Sequence, residues 1–218
     1  MMIRAGVRTG RDGQKALWRI DLARWSVFSL LCAGGSLGLA WLGPVVPLWN
    51  PARGVALLLA WIVLPLASVL VPLLMLRRVP RKQRKVAWQL VVPVVAGVAL
   101  GVFGNAAGDQ VALAERGEWA DAVVVRKDSA KTNHCDLRTV GGREISPSLS
   151  EGEGCRDSVE AGDKLRVRYD PAGVASPTSD VEQSSNVGFL MVLFLLAVAM
   201  GTWGCVRQSR WDTGYVPA

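Results

Sequence analysis

The chain has 218 residues, half of them hydrophobic, with 25 basic and 18 acidic side chains and a net charge of +7. Four runs, Trp25–Trp49, Gly54–Leu76, Val86–Phe103 and Val187–Val206, contain no Asp, Glu, Lys, Arg or His, and each is near the ~20 residues that cross a ~30 Å hydrocarbon core. A soluble enzyme is therefore excluded, and the placement of charge argues against nucleic acid as a partner, because the basic residues lie beside the apolar runs in the positive-inside pattern of membrane proteins.

In chain order, residues 1–24 form a basic cytoplasmic lead carrying Arg4, Arg8, Arg11, Lys15, Arg19 and Arg24. Its Trp18, Ile20 and Leu22 have the character of a segment at a lipid surface. The first apolar run is too long for a signal-peptide core, so it reads as a retained span. Membrane helices 1–3 occupy 25–107. Between the second and third lies a short loop, 77–85, with Arg77, Arg78, Arg81, Lys82, Arg84 and Lys85; it is expected to be cytoplasmic and to face anionic lipid headgroups. Gly34 and Gly38 form one G-x-x-x-G pair and Gly97 and Gly101 another. Small residues at this spacing let helix backbones approach closely, either among the chain's own helices or in a homo-oligomer. Gln89, near the start of the third span, is the most polar side chain well inside a run. A fourth helix is expected over 184–206, then a cytoplasmic tail, 207–218.

The polar segment, taken as an extracytoplasmic domain over 108–183, reads as β. Trp119–Lys127 is Val-rich, Thr132–Val140 places Cys135, Leu137 and Thr139 on one face, and Gly141-Gly142 is a hairpin turn that tolerates positive φ. Arg143–Leu149 follows, then the Gly- and Glu-rich loop Ser150–Asp157. Lys164–Asp170 alternates, with Leu165, Val167 and Tyr169 on one face and Lys164, Arg166 and Arg168 on the other, the signature of a half-buried strand. Four or five such strands predict a small barrel or a rolled antiparallel sheet. Cys135 and Cys155 are the only cysteines in this segment. Outside the cytoplasm, where disulfides persist, they are expected to pair. Asp170-Pro171 has the chemistry of a turn, since Pro fixes φ and Asp can bond the following backbone.

The stretch Gly162-Asp163-Lys164-Leu165-Arg166-Val167-Arg168-Tyr169-Asp170-Pro171, preceded by Gly117–Val124, resembles the hallmark of a widespread bacterial membrane-protein family with no assigned activity. Its pattern is G-D-x-[VL]-x-V-x-Y-D-P. The resemblance implies a small β domain between membrane helices and carries no catalytic role. The chain departs from the pattern in its two cysteines.

Catalytic constellations are thin. His134 is the only histidine, and its neighbours Cys135 and Asp136 point to alternate faces of a strand, so the three do not converge on a metal. No nucleophile elbow, P-loop or dinucleotide fingerprint occurs, and no cofactor is expected. The expected protein is a non-enzymatic, multi-pass component of the bacterial cell membrane with both termini cytoplasmic. It would present its β domain outside for partner binding or scaffolding in the envelope. Two alternatives stand beside this: an accessory subunit of a transporter or secretion complex, and a thiol–disulfide redox protein using Cys135 and Cys155.

Overall fold

The computed structural model describes residues 11–46, 50–75, 88–129, 131–179 and 187–213. The basic residues Arg77, Arg78, Arg81, Lys82, Arg84 and Lys85 lie outside them.

Among the described residues, four helical segments are long and apolar enough to cross a membrane: Trp18–Val45, Pro51–Leu74, Trp88–Arg116 and Val187–Arg210. The first lies in α1 (Arg11–Val45), so much of the basic lead is already helical. The second consists of α2 (Asn50–Leu58), a π-helical turn (Leu59–Val63) and α3 (Leu64–Met75). Pro65 at the start of α3 has no N–H to give to the preceding turn, and a π-bulge is one way a helix accommodates such a gap. The third begins with a 3₁₀ turn at Trp88–Leu90 and continues as α4 (Val91–Arg116). The fourth is α5 (Val187–Thr213).

α4 does not stop where its apolar run stops. It continues past Phe103 to Arg116, so the β domain begins after Gly117 and not at residue 108. At 1.5 Å per residue the 29 residues of this span measure about 43 Å, longer than the ~30 Å core. The last turns, with Asn105, Asp109, Glu115 and Arg116, form a stalk on which the β domain sits.

The helices pack through their small residues. A Cβ on Gly97 would meet the Pro65 ring at 3.2 Å, one on Gly101 would meet Trp61 Cδ1 at 2.5 Å, and one on Gly108 would meet the Trp41 carbonyl at 2.5 Å. Close approach of backbone to backbone makes glycine necessary at Gly108. The other pair behaves differently: Gly34 has only Phe194, 3.9 Å from its would-be Cβ, and Gly38 has open space. A Cβ on Gly38 would therefore be accommodated. The G-x-x-x-G spacing identifies a face but not what covers it.

The β domain is a four-stranded antiparallel sheet in the order β3-β2-β1-β4. The strands are β1 (Glu118–Asp128), β2 (His134–Thr139), β3 (Glu144–Ser150) and β4 (Lys164–Tyr169). β1 is central and long, with a bulge between Val124 and Arg126. The β2–β3 turn uses Gly142 at φ +88°. Gly162, at φ +101°, turns the chain into β4; its N–H donates to the Val124 carbonyl, and the Asp163 carbonyl accepts from the Val124 N–H. The Asp163 carboxylate accepts from the Glu160 N–H at 2.8 Å. Arg143, just before β3, donates to the Pro171 carbonyl in the turn after β4 at 3.1 Å.

One face of this sheet holds the core: Ala122, Val124, Leu137, Ile145, Leu149, Val167 and Tyr169, with the Cys135–Cys155 disulfide among them. Both cysteines are fully buried. A core this small gains from a covalent staple, which ties β2 to the segment after β3.

Candidate functional site

The densest set of buried polar contacts lies where the β domain meets the ends of α1 and α4. Arg116, the last residue of α4, is its hub. Its guanidinium donates to the Val45 carbonyl at 2.9 Å and to the Pro44 carbonyl, both at the end of α1. It also forms an ion pair with Asp170 at 3.0 Å. A planar fork of five N–H donors can bind two elements at once, and here it joins two helix ends to the turn after β4. Helix C-termini leave carbonyls without partners, so an arginine there serves both as a cap and as a charge matched to the dipole.

Asp170 is the receiving group, with a side chain that has no solvent exposure. It accepts from the Ala172 N–H at 3.0 Å, the Val174 N–H at 3.3 Å and the Ala175 N–H at 3.1 Å. Burial alone would raise its pKa. The Arg116 guanidinium and the Ala172 and Ala175 N–H groups outweigh burial, and the carboxyl is held below the ordinary carboxylate range. Pro171 follows in the turn, and Tyr169 precedes it with its side chain in the sheet core.

A second carboxylate completes the junction. Asp109, buried on α4, accepts from the Ser176 N–H at 3.3 Å and from the Asn105 side chain at 3.2 Å. Ala175 packs with Ala112 and Leu113 of α4. The 170–178 segment is therefore held to the stalk by an ion pair, a carboxylate–amide bond and an apolar contact. Arg168 closes the far side, donating to the Gly117 carbonyl at 3.4 Å and the Ala114 carbonyl at 3.3 Å. Alternation places Arg168 on the outer face of β4, but that face abuts the end of α4, so Arg168 is half-buried and caps the helix; it is not part of an open contact surface. Gly117 itself must be glycine, since a Cβ there would run into the Leu113 carbonyl and lie 3.0 Å from Arg168 Nε.

The rest of the outer face is open. Arg166 stacks over the Trp119 ring, 5.6 Å from its centroid, and Val125 and Val140 are exposed. Ser150 is occupied locally: its hydroxyl and N–H bond to Glu153 at 2.7 and 3.2 Å in a capping box. His134 meets Thr132 at 3.1 Å. No group of three or more His, Cys, Asp or Glu placed to hold a metal ion occurs among the described residues.

Sequence reasoning had reached Asp170 through its turn chemistry but missed Arg116, Asp109 and Ser176. The one signal pointing to them was the helix-forming stretch Ala106–Arg116, rich in Ala, which carries α4 beyond the apolar run. No family model matches the chain, and neither a curated protein nor a solved structure matches it.

Proposed function

We propose that this is an integral membrane protein that presents a disulfide-stapled β domain outside the cytoplasmic membrane as a docking module for another protein of the cell envelope. The observation that carries this reading is the division of the β domain into two surfaces. One is consumed by the polar junction with α1 and α4, through Arg116, Asp170, Asp109 and Arg168. The other, with Trp119, Arg166 and the Val140–Glu144 hairpin, stays exposed. A domain fixed in orientation and open on its far side suits binding, since preorganisation lowers the entropy lost on association.

The positive-inside distribution supports cytoplasmic termini and an outside β domain. Residues 105–186 hold 10 basic and 15 acidic side chains, a net of −5, which agrees with that orientation. The resemblance of Gly162–Pro171 to a bacterial membrane-protein family points the same way. The redox alternative is disfavoured by the full burial of both Cys135 and Cys155, because exchange needs access to a sulfur.

A photo-crosslinking residue at Val140, 68% exposed, tests the reading in intact cells, with one at Arg19 as the opposite-side control. A discrete protein adduct from Val140 alone is expected. Identical adduct patterns from both positions would overturn the reading. Co-purification in fixed stoichiometry with a multi-span partner, without adducts at Val140, would favour the accessory-subunit alternative.

A further inference from the structure

β4 lies at one edge of the sheet. Next to the end of α4 that edge is already paired. The Arg168 N–H donates to the Thr178 carbonyl at 2.8 Å, and the Arg168 carbonyl accepts from the Thr178 N–H at 2.9 Å, an antiparallel bridge. Residues two apart on a strand turn their backbone groups the same way in such a ladder, so the N–H and C=O of Lys164 and Arg166 point off the same edge. Asp163, in the opposite phase, turns its carbonyl to the Val124 N–H of β1. Lys164 and Arg166 are exposed, and their N–H and C=O groups have no partner off this edge among the described residues. Past Thr178 the chain bonds elsewhere: the Ser179 N–H and hydroxyl donate to the Glu153 carbonyl at 2.9 and 3.1 Å. The edge thus accepts an antiparallel neighbour at Arg168 and is open along the preceding residues.

An open edge is a template for another strand, and its side chains select which one. Lys164 and Arg166 stand on the outer face, with the half-buried Leu165 between them on the core face. Arg166 lies over the Trp119 ring, a contact that uses its charge and no hydrogen-bond acceptor, and its five donors have no ion pair among the described residues. A second copy is a poor occupant. Antiparallel overlap of two such edges would set Lys164 and Arg166 opposite the same two cations, and like charges directly opposite are destabilising. A strand with carboxylates at those positions gains at both.

We infer that the open half of the β4 edge binds an extended acidic segment of a partner protein as an added antiparallel strand. The segment's pattern is acidic–apolar–acidic, with two carboxylates opposite Lys164 and Arg166 and an apolar residue beside Leu165. Main-chain bonds supply the affinity of such strand addition, and alternate side chains its selectivity. The inference rests on the reading of the β domain as a docking module and names the chemistry of its partner. The chain's own Asp180-Val181-Glu182 has the same alternation, so the test separates a partner from this segment.

The probe is a capped heptapeptide alternating Asp and Val, offered to the full chain in detergent, with hydrogen exchange read amide by amide. In the protein alone the Lys164 and Arg166 amides should exchange freely, and the peptide should slow both at least about tenfold. The same peptide with Lys in place of Asp should bind about tenfold more weakly, two cross-strand pairs having changed sign. Replacing both Lys164 and Arg166 by Glu should reverse that preference. Arg166→Gln should weaken binding about two- to fivefold. Arg166→Pro should abolish it, since Pro is tolerated where an edge N–H faces outward but removes a main-chain donor. Equal unfolding midpoints of the Pro and Gln variants show that the domain is intact. Protection of Lys164 and Arg166 in the protein alone, by residues 180–182 or by a second copy, would overturn the inference. So would equal binding of the two peptides, a charge-swapped chain that still prefers the Asp peptide, or an Arg166→Pro chain that binds as Arg166→Gln does. A Val140 adduct in cells that persists unchanged in Arg166→Pro would overturn the edge as the means of docking and leave the docking reading in place.

Discussion

Replacing Asp170 by Asn tests the junction most directly. The carboxylate is fully buried and accepts three backbone N–H groups in addition to its ion pair with Arg116. An amide has one acceptor oxygen, so its NH₂ must face donors on one side, and Arg116 loses its anion. Breaking a buried pair from one side costs about 3–5 kcal/mol. Arg116 keeps 25% of its side chain exposed, and water recovers part of that, so about 3 kcal/mol is expected. The loss should be local, and hydrogen exchange of the 170–178 peptide in detergent-solubilised protein reads it: the amides of Ala172, Val174 and Ala175 should exchange about a hundredfold faster, each 1.4 kcal/mol being tenfold. A double-mutant cycle with Arg116→Gln isolates the ion pair, and a coupling of about 1–2 kcal/mol is expected. The pH dependence has a defined sign. The folded pKa of Asp170 lies below its unfolded value, so its contribution is complete above the ordinary carboxylate pKa of ~3.9 and disappears as pH falls through the lower folded value. In the Asn variant this acid-side loss should be absent. Unchanged exchange in Asp170→Asn, or additive single variants, would refute the account of Arg116 as the hub.

Three further expectations follow from particular contacts. Reducing Cys135–Cys155, or replacing both by Ser, should destabilise the β domain by about 3 kcal/mol for a loop of 20 residues; denaturant unfolding with and without reductant measures it, and coincident curves would show the staple to be idle. Gly108→Ala should lower bundle stability by about 1–3 kcal/mol through the clash with the Trp41 carbonyl, while Gly38→Ala should be close to neutral in thermal unfolding. A change of oligomeric state in Gly38→Leu, read by size-exclusion with light scattering, would instead assign that open face to a second copy. Gly154→Ala should be poorly tolerated, since its φ of +132° and the adjacent Ser179 side chain leave no room for a Cβ. Near-normal stability of that variant would mean the 3₁₀ turn Glu151–Glu153, which Gly154 ends, is easily rebuilt.

How far the architecture could be read in advance depended on the range of the interaction. The four helices were legible because each is a long run without charge, the pattern that a bilayer-crossing helix requires, and length and charge are both written continuously along the chain. The strands were legible because alternation in Lys164–Tyr169 and glycines at the turns are local signals. Cysteine count and segment charge together led to the Cys135–Cys155 bond. The junction was not legible, for three physical reasons. Asn105, Asp109 and Arg116 interrupt the apolar run and so look like the end of a span, whereas an α-helix can continue wherever its backbone bonds are made. Arg116 and Asp170 are far apart in sequence, and each looks like a solvated surface charge until the fold removes the water between them. Arg168 follows the outward period of β4 correctly, yet a strand pattern carries no information about a helix end lying against its outer face. Glycine spacing fails in the same way: Gly97 and Gly101 are covered and Gly38 is open, although the motif is identical. Local chemistry thus specifies the elements, while the contacts that orient the β domain on its stalk are made by polar side chains whose partners only the assembled fold brings near.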